Sequence, residues 1–459
     1  MKTDTIAAIA TGMSVSGIGI VRISGSEAFS VIDQLYRNKD GMTVKLSEVK
    51  SHTLHYGFIY DGDERLDEVL VLIMKGPHSY TGEDTVEIDC HGGILMVKNI
   101  LEAVIRHGVR TAEPGEFTKR AFLNGRMDLA QAEAVADIIH ASSEYALKSS
   151  VNQLGGSVSK KIRELREGIL YQIAFIESAL DDPEHISLDG YGERILKDLD
   201  SFIGKLEDLI GSFDDGKIIR EGIKTVILGK PNAGKSSLMN LLLREERAIV
   251  TEIAGTTRDT LEEHVSLQGI SLNVVDTAGI RDTEDVVERI GVDRARKAAV
   301  DGDLILYVVD GSRPLDESDG EIMELIQGRK FIILLNKSDL GQVVEKKMLE
   351  NLSGGKVISV SFKEKRGIEE LEQEIKGMFY HGEITLNDQV YITNVRHKEA
   401  LDQALSGLNK AKESVECGMP EDFYSIDLMD AYEHLGAILG EAVDDDLVNE
   451  IFSKFCMGK

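Results

Sequence analysis

Residues 225–237 constrain this chain more than any other stretch. A β-like run, TVIL, passes directly into GKPNAGKSS and from there into a helical segment. The spacing G-x-x-x-x-G-K-[ST] runs from Gly229 to Ser236. Glycines at its ends let the backbone wrap a phosphate, while successive N–H groups and the following helix N-terminus supply a positive field. Further on, LNVVD, LILYVVD and FIILLN are short apolar runs alternating with helical segments. That is the pattern of a parallel sheet covered by helices.

The loop predicts a nucleotide site over Asn232, Ala233, Gly234, Lys235, Ser236 and Ser237, with Lys235 reaching the β- and γ-phosphates and the Ser236 hydroxyl ligating Mg²⁺. Asp276 ends the next strand and is placed to hold the Mg²⁺ shell; Thr277 and Ala278 follow it, and Gly279 offers its N–H to the γ-phosphate. Asn336, Lys337 and Asp339 follow the strand FIILL. A carboxylate at Asp339 accepts both the ring N–H and the exocyclic amine of guanine, a donor pair that adenine lacks, so GTP is chosen over ATP. Ser361 closes the base pocket with a backbone N–H, beside Phe362, which stands where small residues are usual. Between loop and Asp276 lies Thr251, Glu252, Ile253, Ala254, Gly255, Thr256 and Thr257. A switch that senses Mg²⁺ needs a Thr there; Thr257 is preferred over Thr256, and a plain polar loop is the alternative.

At 459 residues the chain suggests roughly two to four domains. Residues 1–118 mix short β-like runs with Gly clusters and one helix near 92–106, an α+β texture. Residues 119–216 and 380–459 read as helical. Ile162, Leu165, Ile169, Ile173, Ile176 and Leu180 form one apolar face, and Leu401, Leu405, Leu408 and Val415 another. Residues 217–379 are the α/β part, inserted between helical segments that pack together; two independent bundles are the alternative. Cys90, Cys417 and Cys456 are too few and too scattered for a disulfide framework. No apolar run approaches the roughly eighteen residues of a membrane span, and the first residues lack a signal-peptide core, so the expectation is a cytoplasmic protein. A formal charge of −28 argues against wide RNA coating.

GTTRD after GKPNAGKSS, then DTAGIR and NKSD, resembles the TrmE–Era–EngA branch of P-loop GTPases. The flanks are more specific. DTIAAIATG, GIGIVRISG, TGEDTVEIDCHGG, PGEFTKRAFLNGRMDLAQAEAVADII and the closing FCMGK resemble the tRNA modification GTPase family MnmE (TrmE) over essentially the whole length. The resemblance implies an N-terminal tetrahydrofolate-binding and dimerisation domain, a discontinuous helical domain and an inserted Ras-like G domain. It implies a homodimer that works on tRNA with a flavin (FAD)-dependent partner, MnmG, in a heterotetramer. The product is an aminomethyl-type substituent, such as carboxymethylaminomethyl, on C5 of the wobble uridine. A folate such as 5-formyl-tetrahydrofolate supplies the one-carbon unit.

Carried over by motif, the folate site draws on Arg22, Glu87, Arg126 and Lys459. Read without the resemblance, Arg22 is a surface charge and Glu87 a solvated strand residue. Cys456 is either a small buried hydrophobe or, as the family's FC-x-GK ending implies, a residue near the one-carbon chemistry. His91 beside its Gly turn reads as structural.

The switch following Gly279 has Ile280 and Arg281 where Ras-type enzymes place a water-orienting Gln. The resemblance assigns a K⁺ to Asn232, completed by carbonyls of Thr251, Ile253 and Thr256, with hydrolysis coupled to G-domain dimerisation. It assigns the water to Glu288, whose plain reading is a solvated acid at a helix start. A rival, an RNA-binding ribosome-assembly GTPase, fits poorly: residues 421–459 carry ten acidic side chains against two lysines. A membrane-remodelling GTPase lacks a basic amphipathic helix.

Overall fold

Alternation sets the first sheet. Along residues 64–74, Val69, Val71 and Ile73 are buried while Leu70 stands exposed, so one face meets a core and the other does not. In the computed structural model, which describes residues 4–245, 262–267, 270–275, 300, 302–379, 390–441, 445–456 and 458, this strand belongs to a seven-stranded sheet. Its strands are β1 (Ile6–Ile9), β2 (Ile18–Ser24), β3 (Tyr36–Asn38), β4 (Thr53–Asp61), β5 (Glu64–Met74), β6 (Thr85–His91) and β7 (Arg110–Thr111). Their order is β3-β4-β5-β6-β2-β1-β7, with only β1 and β7 parallel. Helices Ala28–Leu35 and Ile94–Arg106 cover the buried face.

The second sheet has the order β13-β12-β11-β8-β10-β9. Here β8 is Ile223–Leu228, β9 Glu262–Leu267, β10 Ile270–Val275, β11 Leu304–Asp310, β12 Phe331–Asn336 and β13 Lys356–Ser359. Five strands run parallel, and β9 pairs antiparallel with β10 at the edge. The parallel sheet anticipated from the apolar runs is thus a mixed one, because EEHVSL carries charge and gives no such run. Central strands are apolar on both faces, as Leu304–Val309 shows by being buried throughout, because helices lie on either side.

Among the described residues, long helices make up much of what lies outside the sheets. In helix Ser157–Asp181 the buried face runs through Ile162, Leu165, Ile169, Ile173 and Ile176. It ends at Ala179 rather than at the anticipated Leu180, which is exposed. In helix Val395–Glu416 the buried stripe is Leu401, Ala404, Leu408 and Ala411; Leu405 and Val415 are only half-buried. Small alanines carry half of that stripe, which a search for large apolar residues overlooks. Helix Ser157–Asp181 lies against Glu421–Leu439, where Arg166 stacks 4.0 Å over the Tyr432 ring and meets Glu441 at 2.7 Å.

By compactness the chain divides into two units. One comprises Met1–Ala136, Gln153–Leu196 and Ser406–Lys459; the other comprises Asp137–Asn152 and Lys197–Leu405. The first holds the antiparallel sheet and the second the parallel one.

Candidate nucleotide and ligand sites

The phosphate loop leaves β8 at Gly229 and enters helix Lys235–Glu245. Three of its residues have positive φ, Gly229 at 150°, Asn232 at 64° and Gly234 at 116°. At Gly234 a Cβ would collide with the Asn336 amide, so only glycine fits there. Asn336 is itself the link between two loops. Its Nδ2 donates to Ala233 O at 2.8 Å, and its Oδ1 accepts the Phe362 N–H at 3.3 Å. The side chain of Asn336 is thereby spent on architecture, tying the phosphate loop to the segment after β13. Lys235 Nζ folds back onto the loop, donating to Gly229 O at 2.7 Å and Lys230 O at 3.0 Å. Ser236 and Ser237 are exposed in the first turn of the helix, and Asn232 is exposed at the turn.

A cavity of about 590 Å³ opens between these loops, lined among others by Asn232, Gly234, Ser237, Lys337, Asp339 and Phe362. Asp339 presents its carboxylate to it with one oxygen, Oδ1, accepting the Ser361 hydroxyl at 2.8 Å. That hydroxyl holds the Asp339 carboxyl below the usual carboxylate range. The Ser361 N–H, anticipated to meet a base, donates instead to Arg366 O at 3.2 Å, so the hydroxyl is what Ser361 contributes. Lys337, at φ 65°, is anchored by Asp310 Oδ2 at 2.6 Å. Burial would raise the Asp310 carboxyl, but Lys337 and Ser312 outweigh it and the carboxyl stays ionised below its ordinary value.

On the antiparallel sheet, Arg22 of β2 lies directly opposite Glu87 of β6. Arg22 Nε donates to Glu87 Oε1 at 2.7 Å, and the two side chains are only 13% and 15% exposed. The reading of these as solvated charges is therefore overturned: strand alternation puts them on one face, and the pairing shelters both. Arg22 Nη1 also donates to Gly458 O at 3.2 Å. The Tyr80 ring sits 5.4 Å from the Arg22 guanidinium and 5.0 Å from that of Arg126, with its hydroxyl 2.9 Å from Thr118 Oγ1. Arg22 and Arg126 thus share one aromatic ring, and Arg22 in turn gathers Glu87 and the Gly458 carbonyl. Cys456 is exposed, not the buried hydrophobe its helix face suggested, because that helix ends at Ser453; its carbonyl accepts the Gly115 N–H at 3.3 Å. The exposed His91 ring is held by Asp67, 2.8 Å away, which raises the imidazole above its ordinary range.

Family models decide what these sites belong to. Residues 5–126 match the model described as the GTP-binding protein TrmE N-terminus, and residues 129–456 match the MnmE helical domain. The chain belongs to the MnmE (TrmE) family. Relatives named tRNA modification GTPase MnmE align with it end to end. That of Lachnoclostridium phytofermentans is 57% identical over 459 residues, covering all of both chains. That of Acetivibrio thermocellus is 47% identical over 461 residues, again covering all of both chains, and that of Clostridioides difficile 49% over 461, covering 99% of each. Among solved structures, the G domain of the FeoB iron transporter of T. maritima is 26% identical and covers 34% of this chain and 97% of its own, with a TM-score of 0.26. Such a score is too low to bear on the fold.

Of the MnmE residues anticipated above, Thr251, Glu252, Ile253, Ala254, Gly255, Thr256, Thr257, Asp276, Thr277, Ala278, Gly279, Glu288 and Lys459 lie outside the described residues. Three contributors had gone unnoticed: Tyr80, Asp310 and the bridging role of Asn336. Tyr80 is an isolated aromatic in HSYTGED and Asp310 an ordinary strand-end acid, so neither carries a signal without its three-dimensional neighbours.

Proposed function

We propose that this protein hydrolyses GTP as a subunit of the machinery that installs an aminomethyl-type group on C5 of the tRNA wobble uridine, using a folate one-carbon unit. The observation that carries the GTPase part is the Asn336 bridge. One side chain holds the phosphate loop and the guanine-facing segment in register across a cavity with Asp339 on its wall. Lys235 exchanges the loop carbonyls it now holds for phosphate oxygens when nucleotide enters. Asp339 accepts the two guanine donors with its charge intact.

Two metals fit this reading. Exposed Ser236 offers a hydroxyl to Mg²⁺ at the loop's helix, with Thr257 the second protein ligand. Exposed Asn232 offers an uncharged oxygen to K⁺, joined by carbonyls at Thr251, Ile253 and Thr256. When bound, K⁺ would supply the positive charge for which other enzymes use an arginine, and hydrolysis would be coupled to G-domain dimerisation. Glu288 positions the water. The meeting of Arg22 and Arg126 on Tyr80, with Glu87 paired to Arg22, supports the folate pocket, with Lys459 next in sequence to Gly458 and Cys456 near the one-carbon unit. Glu87 accepts the adjacent N–H groups of the pterin. We assign the domains as 1–118, 119–216 with 380–459, and 217–379, in a cytoplasmic homodimer that joins MnmG and tRNA.

Mass spectrometry of tRNA nucleosides from a deletion strain tests the whole. Loss of the wobble substituent is expected, and unchanged uridines would remove the proposal. For the hydrolytic mechanism, Glu288→Ala keeps GTP affinity and loses most turnover, and the wild type is faster in K⁺ than in Na⁺ at equal ionic strength. Equal rates in the two salts would discard the K⁺ assignment.

A further inference from the structure

The phosphate loop carries a second lysine that the reading above leaves without a role. Lys230 follows Gly229, and its ammonium donates to Asp319 Oδ2 at 2.6 Å and to Asp316 Oδ2 at 2.9 Å. Asp319 is 1% exposed. Its other oxygen accepts the hydroxyl of Tyr307, a fully buried residue of β11, at 2.7 Å, and Oδ2 also accepts the Asp316 N–H at 2.9 Å. Asp316 in turn caps helix Glu317–Ile326, accepting the Ser318 N–H at 3.0 Å, so the two acids form a capping box. A buried carboxylate is tolerated when a cation and hydrogen bonds surround it. Lys230 is that cation. Partial burial works against its charge, but the two carboxylates more than offset this and keep it protonated.

The same position governs the catalytic end of the loop. The Lys230 carbonyl is one of the two that hold Lys235 Nζ. One residue earlier, a Cβ on Gly229 would lie 2.5 Å from Val308 O, so the backbone there is pressed against β11. Two successive loop residues are therefore fixed to β11 and to the helix that follows it, one by close approach and one by the acid pair.

We propose that Lys230 is a positioning residue for nucleotide binding. Its bridge to Asp316 and Asp319 holds the entry of the phosphate loop, so that the loop amides and Lys235 stand where the phosphates arrive. This inference rests on the GTPase reading above. A loop that meets ground state and transition state alike contributes uniform binding, which appears in KM rather than kcat.

The test uses the full chain and three variants, Lys230→Met, Lys230→Arg and Asp316→Asn, with steady-state GTP hydrolysis and GDP titration. In Lys230→Met, KM for GTP and Kd for GDP rise together by about tenfold while kcat moves by no more than about twofold. Lys230→Arg, which restores charge and donors, returns both to near the wild-type values. Asp316→Asn keeps a good cap and raises both by about threefold, and with Lys230→Arg it carries the test if Lys230→Met does not fold. A lowered Tm with KM and Kd unmoved in Lys230→Met and Asp316→Asn would mean the bridge is only architectural, and would overturn the inference. Failure of the wild type to bind GTP or GDP would overturn the GTPase reading and this inference with it.

Discussion

The two candidate sites are built in opposite ways. In the parallel sheet the cavity lies beyond the strand ends, where β8 and β12 give way to loops, and its charged groups, such as Asp339 and Lys337, stand on those loops. In the antiparallel sheet the Arg22–Glu87 pair sits within the strands, opposite each other across β2 and β6, and the groups are charged side chains. A loop-end site can be rearranged locally without disturbing the sheet. A mid-sheet pair cannot, because its register is set by every ladder bond around it. The difference teaches what holds each site's charges in place: loop backbone in the first, strand register in the second.

That contrast can be broken by single substitutions, and the largest effect is expected at Asp339. Asp339→Asn removes the charged acceptor for both guanine donors and should weaken GTP binding by about 10²-fold or more, since polar groups built to pair are left facing the wrong partners. Xanthosine triphosphate, which presents a carbonyl where guanine has an amine, should gain. Folate titration by calorimetry should be untouched. A parallel loss of folate would show that the sites are not independent.

Glu87→Ala is the converse. It leaves Arg22 sheltered without its carboxylate and should weaken 5-formyl-tetrahydrofolate by about tenfold to a hundredfold, the worth of a charge-assisted hydrogen bond or two, while GTP turnover persists. Undiminished folate affinity would withdraw Glu87 from the pocket.

Asn336→Ala sharpens the comparison differently, since it cuts the link between loops without touching the Asp339 carboxylate. Leaving Ala233 O and the Phe362 N–H without this partner should cost about 1–3 kcal/mol of stability, read as a lower Tm. Nucleotide should restore part of that loss by mass action. An unshifted Tm would mean the bridge adds nothing.

The smallest effect concerns acid. Because the folded Asp310 carboxyl lies below its unfolded value of 3.8, its contribution is present above that pH and disappears as pH falls through the folded value. Asp310→Asn should therefore lower Tm by a few degrees at pH 7, with the gap to wild type closing below about pH 4. A gap that widens in acid would contradict the Lys337 pairing.

How much of this could be read from the chain follows the same division. The phosphate loop, NKSD and the apolar strands were legible because backbone-wrapping sites need consecutive residues. The Arg22–Glu87 pair was not, since the two residues are 65 positions apart and meet only through strand register; resemblance alone pointed to them. Ala404 and Ala411 escaped notice because a buried methyl looks like any alanine. The edge strand β9 was missed for its charges, and Lys230 for the long reach of its side chain to Asp319.

The hydrogen bond from Arg22 to Gly458 spans 436 residues. Everything that makes up the parallel-sheet unit lies inside that span. On the ribosome, where synthesis proceeds at about 5–20 residues per second, β2 emerges tens of seconds before its distant carbonyl exists. The parallel-sheet unit is thus fully translated while the Arg22–Glu87 pair still lacks its Gly458 contact. The order of synthesis is written into this one contact: every residue of the parallel-sheet unit has been made before Arg22 can meet its Gly458 acceptor.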